Sequence, residues 1–298
     1  MLRHAGMPLM SPYYADIFRS IEEEVAARGH DMIFTSVPYT ALWAANKHPR
    51  AVPLMPKNNP YKGALLIGGL TDNFAMAYQQ MGIPVVLVDK PAVAGISSVM
   101  PDNVRAAACA ARHLIGLGHR RIAFLGARPD PVVEARFSGF KSALRRAGLE
   151  FDPQDYIHGS YSTHGAFDAT RAYLKQRRKR LPTAILAVND EAAIGVIRAL
   201  QASRISVPGR MSVMGFDDIA PAAESSPPLT TVRIPRREIG KLAAQRLFAR
   251  IEDPTEATAA ILLPTRLVVR ESCANPPSPV RATGSSTRKP SRPRRRRG

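Results

Sequence analysis

The sequence predicts an α/β protein of two doubly wound parallel-sheet lobes with a ligand cleft between them, and three observations carry that prediction. Ala184–Val188 and Met211–Phe216 are apolar runs of strand length, and between them Ala193, Ile194, Ile197 and Leu200 recur at helical spacing. A strand, a helix and a second fully apolar strand form a βαβ unit, whose crossover makes the strands parallel and buries both their faces. The same alternation of short apolar runs and amphipathic stretches continues along most of the chain. Finally, the chain reads as crossing between halves near Gly118–Arg120 and returning near Leu229–Val232. Neither half is then contiguous, and a cleft between two such halves is the natural ligand site.

Taken in order, Leu2–Met7 reads as a short first strand containing His4 and Gly6. Ser11-Pro12 opens the first helix, with a capping hydroxyl before a proline at the first helical position, and Gly29 closes it. Asp31–Ser36, Ala64–Ile67, Val85–Val88 and Ser97–Met100 read as strands, and Val104–Leu117 as an alanine-rich helix ended by Gly118. The prolines Pro38, Pro49, Pro53, Pro56 and Pro60 make Val37–Lys62 a loop, with one helical turn around Ala41–Asn46. The second half begins with the strand Arg121–Leu125. It continues with a helix around Val132–Ala147, a strand near Asp155–His158, a helix from Thr163 to about Arg178, and then the βαβ unit. Pro235–Ile251 is a helix with Ile239, Leu242, Ala243 and Leu247 on one face, and Ile261–Val269 reads as the last strand. Residues 1–272 therefore form the folded unit. Lobe 1 is expected at about 1–117 plus 234–252, and lobe 2 at about 119–230 plus 259–271. Residues 273–298, rich in arginine and proline, are expected to be a disordered basic tail.

The 298 residues suffice for a substantial core, and 45% hydrophobic with 22% charged residues is ordinary for a globular protein. Two cysteines, Cys109 and Cys273, give no disulfide framework. The net charge of +18 includes eight cations in the acid-free tail, which leaves about +10 on the body. That favours polyanions without specifying one. No run is long and apolar enough for an export leader or a membrane span, so the reading is cytoplasmic, with no membrane partner.

Ligands of doubly wound sheets bind at the carboxyl ends of the strands. Asn189 and Asp217 follow the two strands of the βαβ unit and stand at those ends, one offering a donor and an acceptor and the other accepting from ligand hydroxyls or amines. Helix capping is the competing role for both, although Asp190 or Asp218 would serve it as well. Adjacent carboxylates on a strand point to opposite sides, so Asp217-Asp218 is no acid/base pair. With no GxSxG, P-loop or GxGxxG after a strand, and no dense His/Cys cluster, the chain is read as a non-enzyme with no cofactor and no metal site.

The wording "AVNDEAAIGVIRAL", "ISVPGRMSVMGFDDI" and "PPLTTVRIPRREIGKLAAQRL" resembles the effector-sensing core of the LacI/GalR bacterial transcription regulators, whose fold is shared with type I periplasmic sugar-binding proteins. The resemblance covers most of residues 8–272. It implies a sugar-like effector between the lobes, a homodimer, and control of DNA binding. It also adds candidate ligand-binding residues to Asn189 and Asp217. Arg136, in "EARFSGF", matches the arginine that reaches the effector, and its competing role is a surface ion pair with Glu134 or another acid. Tyr161, in "GSYSTHGAF", matches an aromatic against the ligand. Tyr13 and Tyr14 match aromatics presented to it, and since neighbours on a helix point about 100° apart, one is expected in the cleft and the other in the core. Asp102 matches the family's Asp-Asn, with capping as its other role. His113 and His119 match structural positions. The family's DNA-reading helix-turn-helix does not fit in the ten residues before Ser11, so no sequence-specific DNA motif is expected in this chain, a displaced start being the expected reason. A periplasmic sugar-binding protein of the same fold is the alternative, and it would need the export signal that is not found.

Overall fold

A computed structural model describes residues 2–5, 11–37, 61–68, 72–93, 95–127, 129–177 and 181–277. The expected loop turn at Ala41–Asn46, the end of the first strand and the basic stretch from residue 278 onward lie outside them.

The first sheet is built from β1 (Leu2–Ala5), β2 (Phe34–Val37), β3 (Ala64–Gly68), β4 (Val85–Val88), β5 (Ser97–Pro101) and β11 (Ala260–Leu263), in the order β11-β5-β4-β3-β1-β2 with every pair parallel. The runs Ala-Leu-Leu-Ile and Val-Val-Leu-Val in β3 and β4 are buried along their length, as strands covered on both faces must be. Helix α1 (Pro12–Ala26) buries Ile17 and Ile21 completely and packs on α8 (Arg236–Glu252). A Cβ at Gly240 would lie 2.4 Å from the Ile17 carbonyl oxygen, so glycine is what permits that approach. Helix α2 (Asp72–Gln80) seals the opposite side through Phe74 and Tyr78.

The second sheet takes the order β7-β6-β8-β9, with β6 (Ile122–Gly126), β7 (Tyr156–His158), β8 (Ala184–Ala187) and β9 (Ser212–Met214) all parallel. Around it lie α3 (Asn103–Gly116), α4 (Pro131–Arg146), α5 (Thr163–Gln176) and α6 (Asp190–Ala202), followed by the short α7 (Ala220–Glu224). Strands β10 (Thr231–Arg233) and β12 (Arg266–Val268) pair antiparallel, and bridges from Met214 to Thr230 and from Asp217 to Arg233 tie them to this lobe.

The connections differ from expectation in three respects. Helix α3, assigned by sequence to lobe 1, packs on α4 and against β8, β10 and β12, so the first crossing lies at Pro101–Asn103 rather than Gly118–Arg120. The expected last strand divides into β11 and β12. β11 joins the first sheet beside β5, contrary to its placement in lobe 2, and a third crossing therefore runs through Pro264-Thr265. Third, Cys273 and Ala274, assigned to the tail, continue the folded unit beyond Ser272. The Val213 N–H donates to the Ser272 carbonyl, the Ser272 hydroxyl donates to the Val213 carbonyl, and Ala274 N–H donates to Ser212 Oγ, so the segment lies along the open edge of β9. His119 fixes that segment: its ring meets Thr183 Oγ1 at 2.8 Å and both Ser212 Oγ and the Ala274 carbonyl at 3.0 Å. Burial holds its pKa below the ordinary histidine value.

Candidate functional site

Where the two lobes face each other, strand carboxyl ends bring polar side chains to one place. Arg136 projects from the second turn of α4, whose start is fixed by Pro131 and by the Asp130 carboxylate accepting from the Val132 and Val133 N–H groups. It is 3% exposed, so the alternative of a surface ion pair with Glu134 is excluded. Its Nε donates to Asn103 Oδ1 at 2.8 Å and another guanidinium nitrogen donates to the Val188 carbonyl. Its remaining arm lies 3.8 Å from Asp217 Oδ1, and its plane stacks 4.5 Å from the Phe216 ring centroid. Burial opposes this charge, but Asp217, Tyr13, Tyr161 and Asp89 more than offset it, and the Arg136 pKa is held above its ordinary value.

Asp217 is buried and held at φ 112°, a left-handed conformation costly for a residue other than glycine. Its backbone N–H donates to the Val232 carbonyl, while its neighbour Asp218 turns to Arg233 and Arg270, so the two carboxylates do face apart. Burial, followed by the charges of Asp190 and Asp89, pushes the Asp217 pKa well up against the pull of Arg136. Asp89, at the carboxyl end of β4 and also at positive φ, is raised to about 6 by burial, with Asp130 adding to the rise and Arg136 and Tyr13 opposing it.

Tyr13 is buried against this group. Its hydroxyl favours the ionised Asp89 carboxylate, and neither it nor Asp89 Oδ1 makes a hydrogen bond of good geometry among the described residues. Tyr14 meets Tyr13 edge-on at 5.0 Å, stacks on Phe18 and stands within electrostatic reach of Asp89, Tyr161 and Asp217. Tyr161 is half-buried, and its pKa is raised by burial and by Asp130 beside it. Asn189 caps α6 through its Oδ1, which accepts from the Ala192 N–H, leaving its amide N–H₂ for other contacts. Asp190 does not take that cap. It accepts from the Ile219 N–H and the Thr231 hydroxyl, bracing the loop that carries Asp217, and burial raises its pKa to about 7.

The structure thus brings Tyr13, Tyr14, Arg136, Tyr161 and Asp217 together, with Asn189 at the adjoining strand end. The Asp102 carboxylate is engaged in capping α3, accepting from the Arg105 N–H at 2.9 Å, and it is Asn103 beside it that joins the site. Sequence reasoning missed Asn103, Asp89 and Phe216. Asp89 obeys the same strand-end rule that singled out Asn189 and Asp217. Two surface cavities lie elsewhere. One of about 310 Å³ is lined by Ile21, Val25 and Phe248, and one of about 470 Å³ at the crossings by Asp16, Asp218 and Arg236. Among the described residues no group of three side chains could hold a metal ion, and no helix is long and apolar enough to cross a membrane.

Two discontinuous parallel-sheet lobes with convergent polar groups at their strand ends define a two-lobed ligand-binding protein of the periplasmic-binding type. The family pattern of the periplasmic binding protein-like domain matches residues 111–273. The ribose operon repressor of Escherichia coli K12 is 30% identical over 88% of this chain and 78% of its own length. Among solved structures, a LacI family transcriptional regulator from Enterococcus faecium with bound ribose superposes with a TM-score of 0.77 at 26% identity, covering 92% of this chain and 98% of that one. The transcriptional regulator CelR in complex with cellobiose gives 0.79 at 26% identity, covering 91% and 84%. The chain belongs to the LacI/GalR family of transcriptional regulators and carries its effector-sensing core.

Proposed function

We propose that this chain senses a small sugar-like effector held between its lobes by Arg136, Asp217, Asn189, Tyr13 and Tyr161, and that it works as a homodimer whose lobe orientation controls DNA binding. The observation that carries the reading is the buried guanidinium of Arg136, which lies between Asn103 and Asp217 and over the flat face of Phe216, beside polar atoms with no partner. A sugar ring fits such a place, with its apolar face on aromatics and its hydroxyls on the polar groups. Relatives bound to ribose and to cellobiose support it. The effector acts by binding one relative orientation of the lobes more tightly than another, and it leaves unchanged.

Thermal unfolding with neutral sugars, ribose and cellobiose included, tests this. Ligand at about a hundred times Kd stabilises by roughly 2.7 kcal/mol. The reading expects at least one sugar to raise the melting temperature, and Asp217→Ala to lose that rise while keeping its apo circular dichroism. A full rise retained in Asp217→Ala, or no sugar with an effect, would overturn it.

A further inference from the structure

We infer that the cleft selects an uncharged, unphosphorylated sugar and rejects its phosphate esters and sugar acids. The inference rests on the cleft being the effector site proposed above.

It follows from which polar atoms are already committed. Arg136 gives Nε to Asn103 and another nitrogen to the Val188 carbonyl, and its charge is matched by Asp217 at 3.8 Å. Arg236, the other cation acting on Asp217, donates through Nε and a terminal nitrogen to Asp16 Oδ2 at 3.0 and 2.9 Å and reaches the Asp217 and Asp218 carbonyls. Lys90, next in sequence to Asp89, is paired with Asp72 at 2.9 Å. Around the site, Asp89 and Asp217 face one buried guanidinium, and Asp130 stands beside Tyr161. An arriving anion would therefore meet carboxyl groups and three neighbouring cations that are each already engaged.

The uncommitted atoms point the same way. Among the described residues, buried Asp89 Oδ1 and the buried Tyr13 hydroxyl have no hydrogen-bond partner, and Arg136 stands 3.8 Å from Asp217 Oδ1, beyond hydrogen-bond distance. Leaving such groups unsatisfied is costly, so the site calls for a ligand that donates. Sugar hydroxyls donate to both carboxyl groups and accept from the Asn189 amide. A phosphate dianion or a carboxylate brings acceptors alone and adds charge of the wrong sign in a poorly screened place.

The test measures Kd at neutral pH for matched pairs: D-ribose and D-ribose 5-phosphate, D-glucose and D-glucose 6-phosphate, D-galactose and D-galactonate. The neutral member of at least one pair is expected to bind at least about 100-fold more tightly than its charged counterpart. Asp89→Asn and Asp217→Asn, which keep shape and remove one charge, should each narrow that gap by about 10-fold. A phosphate ester that binds wild type as tightly as its parent sugar overturns the inference and leaves the cleft reading standing. The same holds for a gap that neither variant narrows while both weaken the sugar. Sugar binding untouched by either variant, or no binding at all, overturns the cleft reading and the inference with it.

Discussion

Replacing Arg136 by alanine removes the one buried guanidinium that faces Asp217 and Asp89, and the structure gives the size of the effect. The side chain supplies a 2.8 Å charge-assisted bond to Asn103 and one to the Val188 carbonyl, bonds of a kind worth about 1.5–3 kcal/mol each before desolvation is counted. It also sits 3.8 Å from Asp217, a separation at which opposite charges attract by roughly 4 kcal/mol at an effective dielectric constant of about 20. Much of that sum offsets the cost of burying the arginine, and breaking buried pairs by removing one partner costs about 3–5 kcal/mol net. For a protein of this size the melting temperature should fall by roughly 6–10 °C at neutral pH. The penalty should shrink by half or more at about pH 5, because the stranded carboxylates, already raised by burial, then take up protons. Urea unfolding followed by circular dichroism at both pH values measures this. A loss below about 1 kcal/mol, or one that is the same at both pH values, would refute the role of Arg136 as counter-charge.

Arg236 links Asp16 on α1 to the Asp217 and Asp218 carbonyls of the other lobe. Arg236→Ala should weaken the sugar that gives the largest thermal shift by about 5- to 50-fold and broaden the X-ray scattering profile, and an unchanged affinity and profile would show that it does not hold the lobes. Gly139→Ala places a methyl 2.1 Å from the Val104 carbonyl oxygen, between α3 and α4, and should cost roughly 1–3 kcal/mol in urea unfolding. Gly116→Ala, which meets nothing within 4 Å, should be neutral or slightly stabilising. Asp89 binds its proton more tightly folded (about 6) than at its ordinary value of 3.8. Its contribution is therefore fully present below the ordinary value and lost as pH rises through about 6, a difference of roughly 3 kcal/mol that Asp89→Asn should abolish in a pH series of denaturation midpoints.

Strands β3, β4, β6, β8 and β9 were legible because a parallel strand covered on both faces has to be a continuous apolar run. Which sheet an element joins was not legible. The alanine face of α3 suits either lobe, and β11, alternating between exposed and half-buried residues, carries an edge-strand pattern that names no neighbour. Cys273 and Ala274 were hidden by the prolines and arginines that follow them, although both hydrogen-bond to β9. At the proposed site, Asn189, Asp217 and Arg136 were singled out because strand ends and a family motif pointed to them. Asn103 was overshadowed by Asp102, whose capping chemistry is the more obvious in a sequence. Asp89 directly follows the β4 run Val85–Val88 and precedes Lys90-Pro91. Its place after a strand was readable by the same rule as Asn189 and Asp217, but its burial, which sets its pKa, is a property of the assembled lobes.

The three crossings also bear on how the chain is made. Synthesis proceeds from the amino end, yet the first sheet acquires β11 and the α8 cover of its core after residue 235, when nearly all of the second lobe has already emerged. Until then β5 presents an unpaired edge and α1 an uncovered apolar face, the kind of surface on which nascent chains associate wrongly. The second lobe is no better placed, since β10 awaits β12 and β9 awaits Ser272–Ala274. Both lobes receive their last pieces from Ala260–Pro277, a stretch of 18 residues, so neither sheet is complete until that stretch has emerged. A ribosome that stalls shortly before Ala260 leaves two unfinished halves rather than one finished lobe and a remnant.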